Sequence, residues 1–207
     1  MPYNPIMSSK KSDSNTLYLI DGHAQMFRSF FAIRTPMTSP ITGEPTGASF
    51  AFAGMLLKLM LERDPRYAAM AIDSKEPTYR NELYPDYKAQ REAPPEEFSQ
   101  QIPRMLEMTE AFGIPVLQQA GAEADDIIAT LTDRLTNAHD KLYVAMVSKD
   151  KDLHQLLTSR VYMLDIHTGD SLDVEKLKAD KGIRPEQAVD MQTLCGDSVD
   201  NIPGVKG

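Results

Sequence analysis

The sequence is poor in the residue types on which several common functions depend. Its 207 residues contain one cysteine, Cys195, and four histidines, so no disulfide can form within the chain and a zinc site is not expected. No apolar run reaches the roughly 18 residues of a membrane-spanning helix, because Lys58 interrupts the longest one. Residues 1–15 are polar and no apolar stretch typical of a secretory signal follows. We therefore expect a disordered leader on a cytoplasmic protein with no membrane partner.

Positive charge is also scarce. The chain carries 22 Lys and Arg residues against 30 Asp and Glu residues, a formal net charge of -8. Affinity for phosphate backbones comes mainly from Lys and Arg, so this balance taken alone argues against nucleic acid as a partner. Hydrophobic residues make up 42% of the chain, which is ordinary for a globular protein and excludes disorder throughout. The length fits one large domain.

Short apolar runs alternate with helical patterns along the chain. Strands are predicted at Thr16–Ile20, Tyr67–Ile72, Ile114–Leu117, Leu142–Val147 and Val161–Leu164. Helices are predicted at Ala48–Leu61, Pro103–Phe112, Ala124–Leu135, Val174–Lys181 and Pro185–Leu194, with a further helical stretch after the first strand. This alternation predicts an α/β fold with a mainly parallel sheet and helices on both faces.

Acidic residues follow three of the predicted strands. Asp21 comes after the first and Asp73 after the second, while Asp150 and Asp152 lie just beyond a third strong strand. The carboxyl ends of parallel strands lie on one edge of a sheet, where open α/β sheets bind ligands, so these side chains should converge. Five more acids lie at the start of a predicted helix or in a late turn: Glu123, Asp125, Asp126, Asp197 and Asp200.

Each acid alone has an ordinary interpretation, as a turn former or as a partner of a helix dipole. Nine together are harder to explain in this way, because two carboxylates about 4 Å apart repel by roughly 4 kcal/mol at an effective dielectric constant of about 20. If they converge, cations must hold them together. Oxygen ligands without His or Cys select Mg²⁺ or Mn²⁺, and this number favours two ions. Two such ions support phosphodiester hydrolysis, which is the reaction that the pattern predicts.

Residues 76–92, the basic segment, combine tyrosines with basic residues and contain almost no aliphatic side chains, so we expect them to lie outside the core. Pro85 suits the first turn of a helix in which Lys88 and Arg91 would share a face. Basic groups bind phosphates and tyrosines stack on unpaired bases, which favours single-stranded nucleic acid; a solvated loop is the alternative. The candidate binding residues are Arg80, Tyr84, Tyr87, Lys88 and Arg91, and Arg28 is a further candidate for a phosphate near the acids.

Five segments give the sequence a resemblance to a known family. They are LYLIDGHAQMFRSFFA, AMAIDSKEPTYRNELYPDYKAQRE, GAEADDIIATL, SKDKDLHQLL and LCGDSVDNIPGVKG, in family order from about Thr16 to the last residue. With them the sequence resembles the 5′ nuclease domain of bacterial DNA polymerase I, in the flap endonuclease superfamily. The resemblance implies a structure-specific enzyme that removes 5′ flaps and RNA primers from DNA in replication and repair, with two Mg²⁺ ions for which Mn²⁺ can substitute.

The resemblance also implies roles for individual residues. Ligands mainly of the first ion would be Asp21, Asp73, Glu123 and Asp125, and those of the second Asp126, Asp150, Asp152, Asp197 and Asp200. The basic segment resembles the helical arch that the 5′ single strand passes, with Arg80, Lys88 and Arg91 on its phosphates. Arg28 matches a family arginine at the scissile phosphate, so Arg28 and Lys88 would act in catalysis with the acids. Lys149 departs from the family, which more often has a small residue there, and it changes the local charge.

The same resemblance sets the expected organisation of the chain. We expect a nuclease core over residues 16–182 and, over 183–207, the start of a helix-hairpin-helix region that grips duplex DNA through Gly204 and Lys206. Further helices and a polymerase domain would follow in a full enzyme, so we expect a fragment of a monomeric, nucleoid-associated protein. Two alternatives stay open: a related single-strand ribonuclease with a smaller acidic cluster, and a non-catalytic nucleic-acid-binding module of a replication protein.

The net charge has a different meaning under this interpretation. Without the nine proposed ligands, 21 acids remain against 22 basic residues. The acidity that argued against nucleic acid is then largely the apparatus proposed to cut it.

Overall fold

The computed structural model describes residues 15–205 and contains six strands in that range. They are β1 (Thr16–Asp21), β2 (Tyr67–Ala71), β3 (Val116–Leu117), β4 (Tyr143–Val147), β5 (Val161–Leu164) and β6 (Ser171–Leu172). They form one sheet in the order β3-β2-β1-β4-β5-β6. The strands from β3 to β5 pair in parallel, and β6 pairs antiparallel with β5.

Helices follow most of the strands. Within the described range they are α1 (Gly22–Ala32), α2 (Gly47–Arg63), α3 (Tyr79–Leu83), α4 (Glu96–Ser99), α5 (Ile102–Ala111), α6 (Ala124–Ala138), α7 (Val174–Lys181) and α8 (Ala188–Cys195). Two 3₁₀ helices lie at Lys151–Leu156 and Pro185–Gln187. In residues 15–205 we find no helix with both the length and the apolar character needed to cross a bilayer.

The core lies on both faces of the sheet, because successive residues of a strand point to opposite sides. On one face Tyr18 and Ile20 of β1 pack with Phe52 and Leu56 of α2. On the other face Leu17 and Leu19 pack with side chains of α6, among them Ile128. Every residue of β1 is buried, as expected for a central parallel strand covered on both faces. The predicted α/β class with helices on both faces is confirmed.

The strand order creates a crevice between β1 and β4. Chain connections lead from β1 to β2 on one side and from β4 to β5 on the other, so the order of the strands reverses between β1 and β4. In open α/β sheets the crevice at the carboxyl ends of such a pair is the usual ligand site. Asp21 is the last residue of β1, and Ser148 is the first residue after β4.

The structure corrects two expectations for the basic segment. The helix predicted from Pro85 is absent, and residues 85–90 form consecutive turns instead. Lys88 has a positive φ of 57°, and its N–H donates to the carbonyl of Asp200 at 3.0 Å rather than to a carbonyl one helical turn back. The segment also does not lie wholly outside the core, because Thr78 and Tyr87 are buried.

After α7 the chain forms two short helices and then a tight turn. The helix predicted over Pro185–Leu194 is divided in the structure into the 3₁₀ helix Pro185–Gln187 and α8 (Ala188–Cys195). After α8 the chain turns back so closely that a Cβ on Gly204 would lie 2.5 Å from the carbonyl oxygen of Cys195. Only glycine fits there. The helix-hairpin-helix, and the domain boundaries drawn around it, stay predictions, and Lys206 and residues 1–14 lie outside the described residues.

Candidate active site

The nine predicted ligands lie on loops and helix starts around the carboxyl ends of the parallel strands, and we call this set of carboxylates the acidic edge. Asp21 ends β1 and caps α1, since its side chain accepts the N–H of Ala24 at 3.2 Å. Across the crevice, the hydroxyl of Ser148 donates to Asp21 Oδ2 at 2.8 Å. Burial raises the pKa of Asp21, and these two hydrogen bonds offset only part of the effect. Among residues 15–205, the buried carboxylate of Asp21 therefore lacks a positive partner sufficient to offset its burial.

Asp73 connects the end of β2 with the start of α6. Its Oδ1 accepts the N–H of Ala124 at 2.7 Å, and its Oδ2 lies 3.3 Å from Nδ1 of His23. Nδ1 of His23 also accepts the backbone N–H of Asp73 at 3.1 Å. Burial raises the pKa of Asp73, but the nearby His23 side chain and the hydrogen bond from the N–H of Ala124 outweigh it and leave the pKa below its ordinary value. Asp73 is thus fixed in place and ionised.

Asp125 lies at the centre of the acidic edge. Burial raises the pKa of its carboxyl to about 8, and the charges of Asp21, Asp150, Asp152 and Asp73 add to the effect in that order. The sequence placed Asp125 in the first turn of α6, where a helix dipole alone would favour the ionised form. Burial and the surrounding carboxylates outweigh that dipole, so four acids from three parts of the chain lie close enough to Asp125 to act on its charge.

A second group is small enough to surround one ion. Asp152, Asp197 and Asp200 each offer an oxygen atom within 4.8 Å of those of the other two. Burial, together with the charges of Asp150 and its two neighbours in the trio, raises the pKa of Asp152, although a hydrogen bond from the amide of Gln192 opposes this. The trio consists of oxygen donors alone. This composition fits a hard divalent cation such as Mg²⁺ or Mn²⁺.

The basic segment lies directly on the acidic edge. Arg80 binds Asp126 through two hydrogen bonds of 2.8 Å each, and Lys88 Nζ lies 2.9 Å from Glu123 Oε2. Arg91 lies 2.6 Å from Asp200 Oδ1. In addition, Lys151 lies 3.0 Å from Asp197 Oδ2. Four predicted ligands are therefore paired with cations of the chain itself.

Asp126 is held away from the trio. Besides binding Arg80, it accepts the N–H of Glu123 at 3.0 Å in the capping box of α6. The hydrogen bond from Arg80 lowers the pKa of Asp126, and burial opposes it only in part. The family resemblance grouped Asp126 with Asp150, Asp152, Asp197 and Asp200, but only the last three offer oxygen atoms that all lie within 4.8 Å of one another. Its role as a ligand of the second ion stays a prediction.

Tyr87 has a different position from the one predicted for a base-stacking residue. The ring is buried, with Lys88 Nζ 4.8 Å from its centre. The hydroxyl has one hydrogen to donate and lies within hydrogen-bond distance of two carboxylate oxygens, Glu123 Oε2 at 3.0 Å and Asp200 Oδ2 at 3.1 Å. Burial and the charges of Glu123 and Asp200 raise the pKa of Tyr87. In this arrangement Tyr87 fixes the basic segment to the acidic edge and cannot stack on a base. Tyr84 is half-buried and its carbonyl accepts the N–H of Tyr87.

Arg28 projects from α1 towards a different acid. Its guanidinium binds Asp165 through two hydrogen bonds, of 2.7 Å and 3.2 Å. Lys149, which the sequence marked as unusual, binds the same carboxylate at 2.6 Å. Asp165 immediately follows β5. It therefore lies at the carboxyl end of a parallel strand, as Asp21 and Asp73 do.

Sequence reasoning missed five residues of the site: His23, Ser148, Lys151, Asp165 and Gln192. A signal existed for Asp165, because it is the acid after a predicted parallel strand, and for Ser148, which follows another. Lys151 lies between two predicted ligands along the chain. Gln192 had no signal, since only the packing of α8 against the 3₁₀ helix brings it to Asp152.

Comparison with known proteins places the chain among nucleases. The family model described as "5'-3' exonuclease, N-terminal resolvase-like domain" matches residues 16–182. The 5'-3' exonuclease of Aquifex aeolicus is 37% identical over 192 residues, which cover 93% of this chain and 65% of that protein. DNA polymerase I of Rhizobium leguminosarum is 39% identical over 207 residues, which cover 96% of this chain but 20% of that protein. The chain thus spans about a fifth of the length of this relative.

Solved structures share the fold. The 5'-exonuclease of bacteriophage T5, determined with bound zinc ions, superposes with a TM-score of 0.75 at 23% identity over 93% of this chain and 70% of that one. A complex of the T5 flap endonuclease with DNA and metal ions gives a TM-score of 0.68 at 24% identity, with the same coverage. At these identities the likeness concerns the fold alone.

Proposed function

The chain belongs to the 5'-3' exonuclease family, and from this premise we propose that it is a metal-dependent 5′ nuclease that hydrolyses phosphodiester bonds in DNA flaps and RNA primers. One observation carries the proposal beyond family membership. Asp125 lies among four carboxylates at the crevice between β1 and β4. Within the described part of the chain, no cationic side chain donates a hydrogen bond to the carboxylate of Asp125. Burial, and after it the charges of those four carboxylates, raises the pKa of Asp125 to about 8, and bound divalent cations would favour the ionised form again.

The predicted ligands divide into two candidate ion positions. Asp21, Asp73, Glu123 and Asp125 would hold one ion, and Asp152, Asp197 and Asp200, with Asp150 beside them, would hold the other. The set contains oxygen donors only, which supports Mg²⁺ with Mn²⁺ as a substitute. When bound, two such ions supply a nucleophilic water and stabilise the charge on the leaving oxygen.

The chain's own residues perform the remaining tasks. Ser148 and the N–H of Ala24 hold Asp21 in one orientation, and the N–H of Ala124 does the same for Asp73. Arg28, at the border of the acidic edge, offsets the negative charge of a substrate phosphate that the carboxylates would otherwise repel. Lys88 can do the same from the opposite side once it leaves Glu123. Arg28 and Lys88 thus bind and orient the phosphate from two sides.

DNA with a 5′ single strand is the proposed partner. The complex of the T5 flap endonuclease with DNA supports this choice, since that protein shares the fold. The basic segment is proposed to contact the single strand, and Gly204 and Lys206 are proposed to lie near the duplex. A polymerase domain after Gly207 stays a prediction, which the encoded sequence that follows would test.

The experiment is cleavage of a 5′-flap DNA by the full-length chain, with Mg²⁺ or with EDTA, beside the same assay on single-stranded RNA. We expect cleavage of flap DNA only with the metal. The variant with both Asp73→Asn and Asp150→Asn should lose cleavage, and manganese titration should show fewer bound ions. Undiminished cleavage by this variant would reject the metal assignment, and preference for single-stranded RNA would favour the ribonuclease alternative.

A matched control is the variant with Asp133→Asn and Asp140→Asn. Both residues lie away from the acidic edge, one in α6 and one just after it. The control removes the same formal charge as the test variant, so a loss confined to the test variant reports on the site and not on overall charge.

A further inference from the structure

A buried carboxylate holds two basic side chains at the border of the acidic edge. Asp165 has a side-chain exposure of 5%, while Arg28 is 32% exposed and Lys149 is 62% exposed. Arg28 binds both carboxylate oxygens, and Lys149 binds Oδ2 at 2.6 Å. The backbone N–H of His167 completes the shell of Asp165 at 2.9 Å. We call Arg28, Lys149 and Asp165 the Asp165 cluster.

The strand order places this cluster beside the proposed reaction site. The strands β1, β4 and β5 are neighbours in the sheet. Arg28 comes from the helix that Asp21 caps, Lys149 lies between Ser148 and Asp150, and Asp165 follows β5 directly. Arg28 and Lys149 are therefore fixed by elements that adjoin a residue of the acidic edge, and Asp165 follows the strand that pairs with β4. Asp165 itself is not among the predicted ligands.

Charge in the cluster is not balanced. One carboxylate faces two permanent cations, so the three residues keep a net charge of +1. A third cation is near, because Lys58 Nζ donates to the carbonyl of His167 at 2.6 Å. A guanidinium has five N–H donors and an ammonium has three, and Asp165 uses two and one of them. Donors remain on both cations for an anion.

We propose that Arg28 and Lys149 bind a single backbone phosphate of the nucleic acid together, with Asp165 as the positioning residue that keeps both cations side by side. This rests on the proposed function, and it adds Lys149 as a substrate-binding residue and Asp165 as its support. The buried carboxylate of Asp165 neutralises part of the positive charge of Arg28 and Lys149. The exposed parts of these two side chains face the solvent, from which a phosphate approaches. Arginine supplies a planar fork and lysine a point charge, and the two together can hold a phosphate more firmly than either alone.

The main test measures how the affinity for 5′-flap DNA depends on salt, in EDTA so that no cleavage occurs, with the full-length chain. A protein that loses one phosphate contact loses roughly 0.7 to 0.9 from the slope of log affinity against log salt concentration. We expect this loss for Lys149→Gln, and Lys149→Arg should retain the original slope. The control is Lys141→Gln, because Lys141 is also exposed and precedes β4 by two residues, whereas Lys149 follows it by two. Lys141→Gln should keep the original slope.

A second measurement tests the positioning role. Asp165→Asn preserves the shape of the side chain but removes a formal negative charge, so it should bind flap DNA at least as tightly as the wild type. Its cleavage rate, measured in a single turnover with saturating enzyme, should fall by about tenfold. A loss of this size is at the lower end of the effects measured when a residue that orients a ligand is replaced. A residue with a purely structural role would lower stability without separating binding from cleavage. Cleavage at the wild-type rate would reject the positioning role.

The outcomes separate this inference from the proposed function. If the wild type neither binds nor cleaves flap DNA, the proposed function is wrong and the inference is wrong with it. If the wild type does both and Lys149→Gln keeps the wild-type salt slope, only the shared phosphate site is wrong. An equal loss of slope in Lys141→Gln would also overturn it, because the effect would then reflect overall charge.

Discussion

Two groups of cations border the acidic edge, and they are held by acids of different kinds. In the basic segment, Arg80, Lys88 and Arg91 bind Asp126, Glu123 and Asp200, which are all predicted metal ligands. In the Asp165 cluster, Arg28 and Lys149 bind a carboxylate outside the predicted ligand set. A divalent ion would compete with the first group for its partners but not with the second. The conformation of the basic segment should therefore depend on metal, while the Asp165 cluster should keep its geometry with or without it.

The largest expected effect concerns Asp125, which pairs with no cation of either group. Its pKa is raised from an ordinary 3.8 to about 8 by burial and by the neighbouring carboxylates. In metal-free protein the folded state then holds a proton between about pH 4 and pH 8 that the unfolded state has lost. Stability from this group is complete below about pH 4 and is lost as the pH rises through 8. We expect the melting temperature in EDTA to fall by on the order of 10 °C from pH 5 to pH 8.5.

Two comparisons sharpen this prediction. Asp125→Asn should reduce the decline, since an amide does not titrate, but Asp21 and Asp152 also have raised pKa values and should retain part of it. Mg²⁺ should reverse the decline because metal binds the deprotonated acids. The acids paired with cations, Asp126 and Asp197, have lowered pKa values and lose their stabilising effect only as the pH falls below their ordinary range. A melting temperature in EDTA that does not change between pH 5 and pH 8.5 would contradict the convergence of carboxylates on Asp125.

The next effect tests the independence of the Asp165 cluster. Asp165→Asn removes the buried counter-charge of Arg28 and Lys149 and should lower the free energy of unfolding by about 2 kcal/mol. The loss should be the same in EDTA and in Mg²⁺, as measured by urea denaturation. Asp170→Asn is the matched control, because Asp170 is an exposed acid of the adjoining turn. A loss present only in EDTA would place Asp165 among the groups that respond to metal.

A smaller effect should appear in metal affinity. Lys88 competes with a divalent ion for Glu123, so Lys88→Gln should raise the affinity for Mn²⁺ about fivefold, or about 1 kcal/mol. Lys149→Gln should change it much less, because the partner of Lys149 is not a predicted ligand. Calorimetric titration of both variants measures the difference. Equal gains in the two variants would mean that only the overall charge matters and would remove the distinction between the groups.

The smallest expected change concerns nucleic-acid binding by the basic segment. In EDTA, Lys88 remains on Glu123, so Lys88→Ala should leave the salt slope for flap DNA almost unchanged. With Mg²⁺ and a flap carrying a non-hydrolysable linkage, the same variant should lose a slope of roughly 0.7, one contact with a single strand. Fluorescence anisotropy across a salt series measures both. An unchanged slope under both conditions would favour the solvated-loop interpretation of this segment.

Much of the acidic edge could be predicted because its position depends on local sequence. Asp21 and Asp73 come at or just after the ends of buried apolar runs, and such runs must be strands covered on both faces. Parallel pairing then places their carboxyl ends together without any knowledge of side-chain contacts. Asp165 follows the predicted strand Val161–Leu164 in the same way. A search for acids directly after the predicted parallel strands would have found Asp165, but the family motifs do not include this residue.

The basic segment could not be predicted in the same way, because distant contacts determine its conformation. Pro85 favours a helix locally, yet the N–H of Lys88 bonds to Asp200, which lies more than a hundred residues later in the chain. Tyr87 looks exposed in a polar stretch, but Glu123 and Asp200 together bind its hydroxyl and draw the ring inward. No local pattern carries this information, since the three residues meet only in the folded protein.

Two carboxylates of the acidic edge also cap the helices that follow them, and this matters for anyone preparing a catalytically inactive form. Asp21 caps α1, and Asp150 accepts the N–H of Asp152 at the start of the next 3₁₀ helix. An alanine at either position would remove a charge and a cap together, and a lost cap costs about 1 kcal/mol in itself. Asparagine caps nearly as well as aspartate. An inactive protein for crystallisation with uncut substrate is therefore better made with asparagine, since only then does its loss of activity report on chemistry rather than on a frayed helix.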